Sequence, residues 1–431
     1  MGWTVNCDVD RMKAVLVHAP GAEWELTVPW DEEHPSTPRD IINPEKARKE
    51  HGVFQTILKT GSDLQLFELE DLLQESLDTL SERELQELFS KFLKVEGIRT
   101  KIPFDVFSAH FILGKDKTFF FHFDEKKSFL PIILPKKWAI FTRDMAVMTP
   151  AGLVICSSWN FERNKEPFVM KVIFDYHPKL SKCIEIALNL STYRDTRLEG
   201  GDLIVKDNET FILGTGNLSN EQAAKVLAEK LGILVLGVSM PSWNGTANTW
   251  SKLNRHFLHL DTLFGFVERD EVAAFPYIFR EDYKPLASLF EGIANDMRRH
   301  GWRSSPALEE VPTKLKHLGR VTEFRADGSV KRTNKKLLDY LDIPEDKVTY
   351  VGGCRENYSS ELEHAFVALR EMRFQAANLL AREPGIIVAY SGNENTLASL
   401  RTKYKLKIFT TSELMRCDGG PHCLALPLLR Y

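Results

Sequence analysis

The stretch FTRDMAVMTPAGLVI, residues 141–155, reads as a strand, a Thr-Pro-Ala-Gly turn and a second strand, because apolar residues run on both sides of a turn cluster. The form returns at 198–214, LEGGDLIVKDNETFILG, and at 259–276, HLDTLFGFVERDEVAAFP. Each copy carries an ionisable residue near its start, Asp144, Glu199 or His259, and these lie 55 and 60 residues apart. Such similar spacing suggests equivalent units. Helical patterns follow the second and third copies, at 220–232 and 284–301, so the unit is strand, strand, helix, strand. Units of this kind set about an axis bring the starts of their first strands together at the centre, where a site then forms.

Working outward, MKAVLVHAP (12–20) alternates like a strand, and PEKARKEHGVFQTILKTG (44–61) reads as a helix stopped by glycine. Residues 71–94 have apolar spacing for two helices or one broken helix, with Ser81 and Glu84 placed for a capping box, and form a helical insertion. The aromatic, proline-interrupted stretch 118–138 predicts a packed connection rather than regular structure. A further helix is predicted over 359–381, leading to the strand GIIVAY at 385–390. The chain closes on RCDGGPHCLALPLLRY (416–431), a glycine turn running into an apolar strand.

With 431 residues the chain can bury a large core. Its net charge of −4 supplies no electrostatic reason to bind nucleic acid. Six cysteines, at 7, 156, 183, 354, 417 and 423, are too few and too scattered for a disulfide framework. The opening residues lack a basic segment followed by an apolar core, Asn6 stands where a myristoylation signal needs Ser or Thr, and no window approaches 18 uninterrupted apolar residues. The expectation is a cytoplasmic protein with no membrane partner, in which the sequon at Asn244 carries no information.

On a strand, His259 and Asp261 are two apart and project to one face, with the apolar LFGFV beside them. Glu199 is followed by Gly200-Gly201, and Cys423 is preceded by Gly419-Gly420. Taken alone, a double glycine is a turn and a cysteine entering an apolar run is core filler. Together the set holds one thiol, one imidazole and three carboxylates, which suits a cationic, electrophilic carbon. Two carboxylates such as Asp144 and Asp261 can hold a planar guanidinium by its forked donors. The fixed carbon then faces a thiolate, whose pKa falls beside a cation. A histidine completes the cycle by protonating the departing amine and deprotonating water, with Glu199 orienting its ring.

The segments MKAVLVHAPG, NPEKARKEHGVF, FTRD, EGGD, HLDT, ANLLAREPGIIVAY and SELMRCDGGPHCLALPLLR resemble arginine deiminase in their order and spacing across nearly the whole chain. That resemblance implies the five-unit ββαβ α/β-propeller of the guanidine-modifying (pentein) superfamily. It also implies a catalytic body over 1–70 and 135–431, with a helical insertion over 71–134. Carried over by motif, Cys423 is the nucleophile, His259 the general acid and base, Glu199 its partner, and Asp144 with Asp261 the guanidinium ligands. Arg163, in FERNKEPF, falls where the family sets an arginine against the substrate carboxylate.

Three positions depart from the family pattern. Leu218 stands for a second carboxylate-binding arginine, Trp138 for a polar asparagine, and Asp418 for an arginine just before the Gly-Gly pair. Each change weakens the hold on a free carboxylate, and Asp418, as a substrate-binding candidate with Asp144, Asp261 and Arg163, would repel a carboxylate and attract an amine. No cofactor is expected: GTGNLS (214–219) lacks the third glycine of a dinucleotide loop, and Cys417, His422 and Cys423 have no second cluster to complete a metal site. His422, adjacent to Cys423, points to the opposite face of a strand and reads as structural. The expected partner is a small guanidino molecule, L-arginine or an analogue. Three functions fit: a hydrolase giving ammonia and a ureido product such as citrulline, an amidinotransferase, and a catalytically idle guanidinium-binding homologue.

Overall fold

Alternating residues on either side of a tight turn close into a hairpin, and a helix in the next connection returns the chain parallel to the hairpin's second strand. The computed structural model describes residues 2–25, 42–116, 133, 135–160, 163–241, 257–302 and 306–431, by backbone alone over 306–310. The expected connection at 118–138 lies outside the described residues apart from 133 and 135–138, and the sequon at Asn244 lies outside them altogether.

The described strands form five small sheets. In one, Ala146–Thr149 pairs antiparallel with Gly152–Ile155, which after the helix Glu166–Tyr176 pairs parallel with Ile186–Asn189. The next repeats this with Leu203–Val205, Thr210–Thr215, helix Glu221–Leu231 and Leu234–Ser239. Phe264–Glu268, Glu271–Ala274, helix Lys284–Arg299 and Val348–Tyr350 make another. Leu380–Glu383, Ile386–Tyr390, helix Glu394–Arg401 and Lys405–Phe409 make a further one. The first sheet joins the chain's two ends: Leu426–Arg430 pairs antiparallel with Met12–Val17, which after helix Pro44–Lys59 pairs parallel with Gln65–Glu68. A hairpin, Arg320–Phe324 and Val330–Lys336, widens the second-described sheet to five strands.

The inner strands are buried on both faces, which is why they read as apolar runs instead of strict alternation. Ser81 and Glu84 close the capping box between the helices Leu69–Asp78 and Glu82–Glu96. Those helices share one buried core with Met148, Leu153, Val169 and Ile173.

Two expectations are corrected. The helix read over 359–381 ends at Arg373, and Leu380–Glu383 is instead the first strand of another hairpin. Gln375, at φ +62°, turns the chain out of the helix, while the apolar spacing runs on without a Gly or Pro to mark the stop. In addition, the ionisable residues near the hairpin starts do not lie on strands. Thr142–Met145, Gly200–Asp202 and Leu260–Thr262 are single helical turns that lead into the strands.

Candidate active site

The helical turn Thr142–Met145 is fastened from both sides. Thr142 Oγ1 donates to the carbonyls of Leu16 (3.0 Å) and Leu424 (3.3 Å), and the Arg143 amide donates to the Cys423 carbonyl (3.3 Å). The buried Arg143 guanidinium grips Asp8 (2.9 and 3.2 Å) and donates to the Leu203 carbonyl (2.6 Å). Asp144 is thereby set beside the Gly200-Gly201 turn, and its Oδ1 accepts the Gly201 amide at 2.9 Å. A Cβ on Gly201 would lie 2.7 Å from His259 Nδ1 and 3.0 Å from Asp144 Oδ1. This glycine lets the backbone pass between two charged groups.

His259 Nε2 bonds Glu199 Oε2 at 3.1 Å, and its Nδ1 lies 3.8 Å from Asp144 Oδ1. The Ser158 hydroxyl donates to the other Glu199 oxygen. Ser219 links Glu199 to Asp202: its Oγ accepts the Glu199 amide (3.1 Å) and donates to Asp202 Oδ2 (2.7 Å), while Asp202 Oδ1 takes the Leu260 amide (2.9 Å). Burial alone would discharge His259, but the Asp144 carboxylate, the Cys423 thiol and Glu199 outweigh it and raise the ring well above the ordinary histidine range. Burial likewise opposes the Glu199 charge, yet Arg163 and His259 hold its carboxyl at about 2. The surrounding carboxylates therefore favour the imidazolium form of the ring.

Asp261 faces the other half of the site. Its Oδ2 meets His422 Nδ1 at 2.8 Å and accepts from the Cys423 thiol at 3.4 Å, while its Oδ1 is buried with no hydrogen-bond partner. Burial is outweighed by the His422 hydrogen bond, and the Asp261 carboxyl lies below its usual range. Burial pushes the Cys423 thiol up to about 12, with Asp261 adding to the rise and the hydrogen bond from His259 opposing it.

The structure thus brings Asp144, Glu199, His259, Asp261 and Cys423 together, all buried, but by a route the alternation rule does not describe. His259 and Asp261 converge from a helical turn, where residues two apart need not face opposite or equal ways. The reading of His422 is corrected for the same reason. Residues 421–424 form a turn, the strand begins only at Leu426, and neighbours His422 and Cys423 both reach Asp261.

Arg163 is turned inward. Its Nη1 donates to Asp144 Oδ2 (2.9 Å) and Glu199 Oε2 (3.4 Å), and its Nε to both oxygens of Glu166 (3.1 Å each). Asp144, Glu199 and His259 lie close enough to one another to hold a metal ion, but the Arg163 guanidinium already compensates the two carboxylates. Trp138 rests edge-on against Trp24 (5.9 Å between centroids) and stacks on Phe141 (6.3 Å). Leu218 precedes the bridging Ser219 and is half-buried, and Asp418 sits at φ +66° with its carbonyl accepting from Gln375 Nε2 at 3.3 Å. Sequence reasoning missed Ser158, Glu166, Asp202 and Asn378. Only spacing to residues already chosen could have found the first three, and Asn378 lies in the predicted helix.

The family model for arginine deiminase matches residues 122–317 and 359–430. An arginine deiminase of Borrelia garinii subsp. bavariensis is 28% identical over 98% of this chain and 96% of its own length, and one of Staphylococcus haemolyticus is 25% identical over 99% and 98%. Among solved structures, a complex of an AgrE cysteine variant with L-arginine superposes with a TM-score of 0.52 at 13% identity, covering 97% of this chain, which spans 40% of the AgrE chain. The substrate-bound N-terminal domain of ArgZ, an arginine dihydrolase from cyanobacteria, gives 0.50 at 12% identity over 97% and 98%. The structural likenesses carry the fold alone, a mixed α/β arrangement of small sheets. With the family model matching well over half of its length, the chain belongs to the arginine deiminase family.

Proposed function

We propose that the chain carries out its family's reaction, hydrolysis of a guanidino C–N bond, through a covalent intermediate on Cys423. The observation that carries this reading is Asp261 Oδ1, a buried acceptor left over beside the Cys423 sulfur after Oδ2 has served His422 and the thiol. A guanidinium supplies the missing donor and brings the cation that lowers the thiol's pKa. Asp144 provides the second carboxylate.

The thiolate attacks the guanidinium carbon, and the tetrahedral adduct breaks its C–N bond as the His259 imidazolium gives a proton to the leaving ammonia. His259, now neutral, takes a proton from water as that water attacks the same carbon. The second tetrahedral adduct then breaks its C–S bond, expelling Cys423 as the thiolate; its hydroxyl proton passes to the released ammonia as ammonium, and the neutral ureido product remains. Glu199 and Asp144 hold the ring in place through both halves and favour its charged form whenever it carries the proton. Arg163 neutralises Asp144, Glu199 and Glu166 through Nη1 and Nε, and its buried Nη2, which has no hydrogen-bond partner among the described residues, is the donor it has left for a substrate. With Trp138 on an aromatic shelf and Leu218 and Asp418 in place of arginines, the preferred substrate is a guanidino compound without a free carboxylate at its distal end.

We read the five sheets as five ββαβ units about one axis, supported by the shared strand order and by the closure of the first sheet with the C-terminal strand. Residues 71–134 are an insertion on the catalytic body 1–70 and 135–431. Six unpaired cysteines support a reducing, cytoplasmic setting, and among the described residues no helix is long and apolar enough to cross a membrane.

Product analysis tests the reaction. Ammonia and a ureido compound are expected, with an acid-quenched adduct on the peptide containing Cys423. A new guanidino compound formed from an added amine indicates amidino transfer, and an adduct on another cysteine overturns the assignment.

A further inference from the structure

The turn that carries Cys423 is clasped by the turn that follows the helix Glu361–Arg373. Asn378, fully buried, accepts the backbone amides of His422 (3.0 Å) and Cys423 (3.2 Å) on Oδ1, and its Nδ2 donates to Cys423 Sγ at 3.0 Å. Its orientation is fixed by chemistry, because the two amides require an acceptor and the amide nitrogen must then face sulfur. Gly420 leaves room for it, since a Cβ there would lie 2.6 Å from Asn378 Oδ1. Gln375 Nε2 binds the Asp418 carbonyl across the same interface, and both residues sit at positive φ, +62° and +66°. Two strained residues joined to each other mark a junction that its surroundings hold in place.

Resting on the reading of Cys423 as nucleophile, we infer that Asn378 both places the sulfur and stabilises its ionised form. The groups facing the sulfur divide by what they favour. Asp261 accepts a hydrogen bond from the thiol and repels a thiolate, Asp144 repels it as well, and His422 is already engaged with Asp261. His259 favours the thiolate by charge. Asn378 is the neutral donor to the sulfur, and a donor to the charged form lowers the cost of ionisation.

The test follows Cys423 without any substrate. Wild-type protein, N378A and N378D are alkylated with iodoacetamide across pH 6–9, and modification of the Cys423 peptide is followed by mass. N378D keeps an acceptor for the two backbone amides and sets a carboxylate oxygen in place of the donor to sulfur, so a slower Cys423 on a turn still held reads the electrostatic part. Loss of the donor should shift the thiolate fraction by roughly tenfold, and the more basic sulfur regains part of this in nucleophilicity. The expected result is a roughly three- to tenfold slower Cys423 alkylation at fixed pH in both folded variants. Wild-type rates at every pH in folded N378A and N378D would overturn the inference, even if activity falls. The function fails separately, if the wild-type protein releases no ammonia from any guanidino compound.

Discussion

Around Cys423 the side chains are buried, converge from four loops and form hydrogen bonds at 2.8–3.4 Å, whereas Trp24, Trp138 and Phe141, read as the distal shelf, meet one another through ring contacts at 5.9 and 6.3 Å. The difference teaches that the reacting centre and the specificity end of one site are built by separate residues. The first is tied into the backbone by Arg143, Ser219 and Asn378, so single changes there disturb several contacts. The second is held by ring packing, with Trp24 and Phe141 buried in the core that also takes Cys423.

The largest effects belong to the reacting centre. C423S and H259A should each lower kcat by at least roughly a thousandfold while the fold survives, since both groups act in the bond-making steps. Substantial turnover by either purified variant breaks the distinction between the two ends.

Arg163 sits at the boundary between them, and its variants show to which end it belongs. Removing it leaves the Asp144, Glu199 and Glu166 carboxylates buried without their cation, so R163Q should cost about 3–5 kcal/mol in denaturant unfolding. An arginine that only met the substrate would instead raise KM and leave the unfolding midpoint alone. The pairing also has a pH signature. Glu199 is held at about 2 against an ordinary 4.5, so the stability it lends is complete above 4.5 and is lost as pH falls through 2. In R163Q that loss should begin at higher pH.

Much of this was legible because hairpin patterns and ionisable residues recur together in the sequence. The hairpins at 146–155, 203–215 and 264–274 lie within the stretches read as such, and the five residues chosen for chemistry meet. What was not legible depends on geometry that periodicity does not encode. A single helical turn ahead of a strand looks like the strand's own start, so strand alternation does not describe how His259, Asp261 and His422 face. The hairpin starting at Leu380 was hidden because a left-handed Gln375 ends the helix without a glycine. Arg163 has the right residue type for a carboxylate ligand, and only coordinates show which carboxylates it touches.

A smaller effect separates substrates. Losing one charge-assisted partner costs about 1.5–3 kcal/mol, roughly ten- to a hundredfold in affinity. L-arginine, its decarboxylated analogue and arginine amide, compared by kcat/KM for ammonia release, should rank with L-arginine last. If L-arginine leads by more than tenfold, other residues have taken over its carboxylate and the distal end is not what separates this chain from its relatives.

The smallest expected effect is none at all. Asp144, Glu199 and His259 form a set that a divalent ion could bind, and a metal there would polarise water by chemistry unrelated to the thiol. Yet an ion on that set would have to displace the Arg163 Nη1 from both carboxylates and compete with the proton that the same carboxylates favour on His259, and a protonated ring is no ligand. Chelators should therefore leave the wild-type rate unchanged, and added zinc should inhibit if it acts at all. A rate that falls with chelator and returns with zinc would mean that these three residues serve a metal, and the division between a thiol centre and its distal shelf would have to be redrawn around that ion.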